Sequence, residues 1–226
     1  GAINTAVGCV PLKLKTTGTY NTASGSVALE DNTTGSRNVA NGYGALGANT
    51  TGAYNVALGY GTLDANTTST YSVAIGYNAL TSATGGNNVA IGGKCMENNT
   101  TGINNVAVGR AALDSNTTGV GNVTVGYNSL SANTTGDNNT AVGYQTLVAV
   151  TTGTKNSGIG REAGYYITSG SNNTMLGVGS GGNNSPSGNV STASNIICLG
   201  NDDVTDLYCA DTSIDSSDSR DKTCLL

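Results

Sequence analysis

No histidine occurs in the 226 residues. That omission removes Ser-His-Asp and Cys-His nucleophile systems, His-ligated zinc and haem, and the side chain that titrates nearest neutral pH. Carboxylates are the remaining acid–base groups. The three glutamates, Glu30, Glu97 and Glu162, are far apart in sequence. Only Glu30 has an acidic neighbour, Asp31, and neighbours on a strand point to opposite faces. A glycan-degrading enzyme built on paired carboxylates is therefore the alternative, and a non-enzymatic role the leading expectation. The five cysteines, Cys9, Cys95, Cys198, Cys209 and Cys224, form no CxxC pair and are too dispersed for a sequence-evident zinc site. Cys198 and Cys209 could meet across a turn, but buried or idle thiols are the plainer reading. Seven aspartates follow residue 200, without the alternating acids, glycine and closing Glu of an EF-hand. Neither a metal nor another cofactor is expected.

Nine Lys plus Arg against fourteen Asp plus Glu give a net charge of -5, with the basic residues scattered singly. Nothing supplies a phosphate-binding stripe, so nucleic acid is not an expected partner. No apolar run approaches the roughly 18 residues of a membrane span. The chain begins without Met, which reads as a fragment or a processed chain.

The elements that must position these groups are set by a repeat. A pentapeptide related to Asn-x-Ala-x-Gly ends at Gly8, Gly25, Gly42, Gly59, Gly76, Gly92, Gly109, Gly126, Gly143, Gly160 and Gly177. The interval is 17 residues, except for 16 between Gly76 and Gly92. Seventeen residues are too few for a helical-pair repeat and suit one coil of a β-solenoid. The segment N-V-A-V-G alternates like a short strand. One ladder of apolar pairs, such as Val73 and Ile75, and a second of Leu12, Leu29, Leu46, Leu63, Leu80, Met96, Leu113, Leu130 and Leu147 are expected to meet inside. The alanines between the Val/Ile positions, including Ala57, Ala74 and Ala107, are then expected to face outward and to pack against another copy of the chain.

Each repeat glycine is expected to turn a corner with positive φ. The Asn-Thr-Thr segments starting at Asn32, Asn49, Asn66, Asn99, Asn116 and Asn133 form a second corner, where stacked amides can bond along the rod. Several asparagines also satisfy N-x-S/T, a pattern read here as the corner motif rather than as glycosylation sites. Tyr43, Tyr60 and Tyr77, then Tyr127 and Tyr144, follow the repeat glycine and should form two stripes, with packing the first reading and sugar stacking the second. Thr33, Thr50, Thr67, Thr117 and Thr134 recur in register too, which keeps an ice-binding solenoid as a further alternative.

The repeats resemble the N-T-A-x-G-Y-x-A-L-x-x-N-T-T-G arrays of phage tail-fibre-like proteins. Ser72-Val73-Ala74-Ile75-Gly76 is similar to the head motif of trimeric autotransporter adhesins. The second resemblance implies a left-handed parallel β-roll assembled as a homotrimer. Ser217-Asp218-Ser219-Arg220-Asp221-Lys222-Thr223 is similar to the start of the intramolecular chaperone domain that ends many tail fibres and tailspikes. In that family a Ser and the Lys five positions later act in self-cleavage, which implies Ser217 as nucleophile and Lys222 as base. A desolvated lysine can serve as base in a chain without histidine. The family continues beyond this motif, whereas this chain ends in Thr223-Cys224-Leu225-Leu226, so either a longer precursor carries the chaperone or the C-terminus departs from the family.

The expected fold class is all-β, a parallel β-solenoid of 17-residue coils. Residues 1–177 are expected to form the shaft, 178–200 an irregular insertion with a last strand, 201–216 an acidic junction, and 217–226 the start of a truncated or absent chaperone domain. The expected function is a structural fibre or adhesin segment, on a virion or at a cell surface. It would serve as a rigid spacer and touch a host glycan or protein, with copies of itself and further fibre subunits as its other partners. A tailspike-type glycan-degrading enzyme and an ice-binding solenoid are the alternatives.

Overall fold

Three β-favouring residues followed by a glycine can form only a short strand, and the chain makes one such strand per repeat. The computed structural model describes residues 3–14, 17–182, 185, 188 and 190–204. Its strands are β1 (Thr5–Val7), β2 (Thr22–Ser24), β3 (Val39–Asn41), β4 (Val56–Leu58), β5 (Val73–Ile75), β6 (Val89–Ile91), β7 (Val106–Val108), β8 (Val123–Val125), β9 (Thr140–Val142), β10 (Ser157–Ile159), β11 (Thr174–Leu176) and β12 (Ile197–Leu199). They pair in chain order into one parallel sheet. Register is constant, with Val56 opposite Val73 and Ala57 opposite Ala74. The chain is thus an all-β parallel solenoid. Eleven steps of about 4.8 Å give a rod of roughly 53 Å.

Hydrogen bonding between coils does not stop at the strand ends. Leu46 N–H donates to the Thr62 carbonyl at 3.0 Å, and Thr50 N–H to that of Thr67 at 2.9 Å. Following the whole circumference this way requires sharp corners. The repeat glycines adopt them: Gly76 has φ 131°, and a Cβ there would lie 2.6 Å from the Gly92 carbonyl oxygen. Three further positions per coil are left-handed even where they are not glycine, as at Tyr54 (φ 60°), Val27 (φ 53°) and Leu46 (φ 54°). Such conformations are costly for branched and bulky residues and persist because the ladder bonds on either side fix them.

The strand faces are the reverse of the sequence expectation. Ala40, Ala57, Ala74, Ala90, Ala107 and Ala141 are fully buried, whereas Val39, Ile91, Val106, Val123, Val125 and Val142 are exposed. The physical reason is the cross-section of the coil. A three-residue strand directs one side chain inward, and the space opposite is already filled by the buried ladder of Leu29, Leu46, Leu63, Leu80, Met96, Leu113, Leu130 and Leu147. Only a small residue fits between that ladder and the sheet.

Buried amides line the remaining interior in two columns. In the corner column Asn49 Nδ2 donates to Asn32 Oδ1 at 2.8 Å, and Asn133 to Asn116 at 2.9 Å. The second column precedes the strands: Asn38 N–H donates to Asn21 Oδ1 at 2.9 Å, and Asn38 Nδ2 to the Gly52 carbonyl at 2.9 Å. Both columns are interrupted around the 16-residue repeat, by Ala83 in one and Ser72 in the other. Beyond Gly177, the next equivalent glycine is Gly200, 23 residues on instead of 17. Despite the longer step β12 pairs with β11 in register, so a coil with an insertion follows the shaft.

Candidate functional site: tyrosine ladders and their flanking cavities

Because each coil repeats the last with little offset, equivalent side chains form columns along the rod. The residue after each repeat glycine faces solvent, and there the Tyr43 and Tyr60 rings stack at 5.2 Å and Tyr60 and Tyr77 at 5.5 Å. Further along, Tyr127 and Tyr144 stack at 5.4 Å. The second stack is capped by guanidinium groups: Arg110 lies 5.6 Å from the Tyr127 ring and Arg161 6.0 Å from that of Tyr144. These are the two stripes expected from the sequence. A third went unrecognised there, running Tyr20, Arg37, Tyr54, Tyr71. Arg37 sits 5.6 Å from the Tyr20 ring and 5.2 Å from that of Tyr54, and Tyr54 and Tyr71 stack at 4.9 Å. Its 17-residue spacing was the available signal, masked by the arginine in its second position.

Mutual stacking has a chemical consequence. Inside each stack the ring faces cover one another, so edges and hydroxyls point to solvent, and flat faces are presented only at stack ends or gaps.

Two cavities lie beside the row that carries the first two stripes, one near each end, and glycines line both. One, of about 330 Å³, is bordered by Tyr43 and Tyr60, with Gly44, Gly47 and Gly61 opening it and Glu30, Asp31 and Asp64 at its edge. The other, of about 440 Å³, lies at Gly179 and Gly182 beside Glu162, Tyr165 and Tyr166. Burial pushes the Asp64 carboxyl up. Asp114, four residues beyond Arg110, is likewise raised, first by burial and then by the Glu97 charge, against an opposing effect of Lys94. Its Oδ1 is buried without a hydrogen-bond partner.

The three glutamates are dispersed, each beside a basic residue. Glu30 pairs with Lys13 at 2.8 Å, Glu97 with Lys94 at 3.2 Å and Glu162 with Arg161 at 2.8 Å. The threonine register feeds backbone bonding, as where Thr50 Oγ1 donates to the Thr67 carbonyl at 3.0 Å. Asn32, Asn49, Asn66, Asn116, Asn122 and Asn133 are fully buried, so in the folded chain their N-x-S/T patterns belong to corners and strand starts. Burial pushes the Cys95 thiol up to about 12, and Cys198 is buried while Cys9 is exposed. Cys209 and Cys224, and the Ser217 and Lys222 pair, lie outside the described residues. Among the described residues no group of three or more Cys, Asp or Glu is placed to hold a metal ion, and no helix is long and apolar enough to cross a membrane.

The sheet's outer face is apolar from β4 to β8, where both outward positions are Val, Ile or Leu, and carries Thr22, Ser24, Asn41, Thr140, Ser157 and Thr174 nearer the ends. Besides Val123 and Val125, it exposes Ile159 and Leu176, each at 48%. Comparison with known proteins gives no matching family model, no matching curated protein and no matching solved structure.

Proposed function

We propose that the chain is a structural segment of a phage tail fibre or extracellular adhesin, a rigid spacer assembled as a homotrimer of left-handed coils. The observation that carries this reading is the outer face of the sheet. From β4 to β8 two columns of Val, Ile and Leu flank the buried strand centres, and water contact with that apolar stripe is unfavourable. Burying it against the same stripe of other copies removes that cost and stiffens the rod. The association surface is therefore the Val/Ile stripe rather than the alanine column. A coil held by ladder bonds around its circumference suits a spacer, since every coil braces the next. The exposed tyrosines leave polar edges with which such a fibre could touch a host surface. In a longer precursor Ser217 and Lys222 would release the shaft by self-cleavage.

Assembly is tested by sedimentation equilibrium at micromolar concentration, comparing the parent with a Val123→Lys, Val125→Glu variant. The expected result is three chains for the parent and one for the variant, with a β-rich circular dichroism spectrum in both. A monomeric parent would remove the basis of the fibre reading.

A further inference from the structure

The first two tyrosine stripes occupy one equivalent position of the coil, and the column they form contains one gap. From Tyr43 to Arg161 each coil contributes a flat group to it, with stacked neighbours 5.2–6.0 Å apart, except at Gly93. There the column passes from Tyr77 to Arg110 across a coil with no side chain. Tyr77 stacks on Tyr60 at 5.5 Å, leaving its other face toward the gap. Arg110 leans the opposite way, onto Tyr127, where its Nη1 donates to the tyrosine hydroxyl at 3.3 Å.

The backbone does not demand glycine at this position. Unlike the corner glycines, Gly93 is outside the left-handed region, and a Cβ built on it would find no atom closer than the Tyr77 carbonyl oxygen at 3.9 Å. The space is open. Two coil steps separate the Tyr77 and Arg110 positions, about 9.6 Å at the sheet spacing. One ring placed midway would lie at about stacking distance from each flank.

We propose that this gap is a binding slot for a single aromatic ring, the tyrosine side chain of another polypeptide. The flanks favour a π ring: Tyr77 offers an aromatic face and Arg110 a guanidinium, a pair that cation–π and stacking contacts can serve together. The rim offers polar contacts for the phenol hydroxyl. Lys94 Nζ lies 3.2 Å from Glu97 Oε2, and Asn78 Nδ2 donates to Glu97 Oε1 at 3.1 Å, so the ammonium, carboxylate and amide form a linked polar edge beside the gap. The chain itself fills equivalent positions with tyrosine, which makes the phenol the ring matched to the ladder. The proposal is independent of trimer formation and of a fibre role.

The test is saturation-transfer NMR on the full chain with N-acetyl-tyrosinamide as probe, and methyl β-glucoside as a pyranose control. The parent should transfer saturation to the probe's ring protons and shift them upfield. Gly93→Tyr, which fills the slot from within, should reduce the transfer at least tenfold and raise the melting temperature by about 2 °C. Should Gly93→Tyr not fold, Tyr77→Ala combined with Arg110→Ala removes both walls and should give the same loss of transfer. Undiminished transfer in whichever of these variants folds would overturn the slot. Binding of the glucoside in place of the phenol would overturn the aromatic assignment.

Discussion

The middle of the rod and its last described coils solve the same packing problem with different residues. From β2 to β9 the strand centre is alanine or threonine and the opposite ladder is Leu or Met. The coil of β10 has glycine at both positions, and in that of β11 the roles are exchanged. The strand centres become Gly158 and Met175, and the ladder positions become Gly164 and Gly181. A Cβ on Gly181 would lie 2.6 Å from Met175 Sδ, and one on Gly158 would lie 2.9 Å from Leu147 Cγ. Thus Met175 fills space that leucines fill elsewhere, and Leu147 occupies the room left by Gly158. The corner amide column also changes, to the fully buried Val150 and Ile167. What the coil conserves is interior volume and corner geometry rather than residue identity, as expected where packing density governs tolerance.

The largest effect should come from putting a charge into the uniform region. Leu113 is fully buried, and Leu113→Asp would place an unpaired carboxylate among apolar side chains while also leaving a void. Loss on the order of 4 kcal/mol or more is expected, enough to abolish the cooperative thermal transition followed by circular dichroism. A variant melting within about 2 °C of the parent would mean that the leucine ladder does not hold the coils together.

A smaller and more specific effect tests the exchange itself. Gly164→Leu restores the consensus ladder residue, yet a Cβ there would already lie 2.5 Å from Leu147 Cδ2, 3.1 Å from Ile167 Cδ1 and 3.3 Å from Met175 Cγ, and Gly164 is left-handed at φ 65°. The single variant should lose about 1–3 kcal/mol through overpacking. Adding Met175→Ala, the consensus strand centre, should return the part of it that comes from Met175, the Leu147 contact persisting, visible as a coupling energy in a double-mutant denaturation cycle. Additive losses would show that the two columns do not share one volume.

The one-coil-per-repeat plan was legible in the sequence because its signals are local and periodic. The 17-residue interval gave the coil, the glycines gave corners, and Asn32, Asn49 and Asn66 gave an amide column. The direction of the strand was not legible. An alternating V-A-V offers an apolar residue to either face, and hydrophobicity alone assigns the larger pair to the interior. The deciding quantity is the room left by the Leu ladder, a property of the closed coil. The left-handed residues were hidden for a related reason: Leu46 and Val27 are unlikely occupants of that region, so their types carry no signal of it. The third tyrosine column was readable by spacing but broken by Arg37. The unfilled position at Gly93 acquires meaning only once the rings on either side are seen to stack.

The mildest contrast is electrostatic and lies on the cavity-lined side of the rod. Asp64 and Asp114 have raised pKa values, in both cases chiefly through burial. A carboxyl whose pKa is higher folded than unfolded holds its proton more tightly in the coil. Its contribution to stability is therefore fully present below the unfolded pKa and is lost as pH rises through the folded one. Replacing both with Asn removes that titration. Relative to the parent, the double variant should gain stability above this window and lose the advantage within it. Because both side chains remain partly exposed, water screens the effect, and a shift of no more than about 2 °C is expected. Melting curves from pH 3 to pH 8 decide the matter: a variant whose profile parallels the parent's throughout would show that neither carboxyl is desolvated enough to couple its proton to folding.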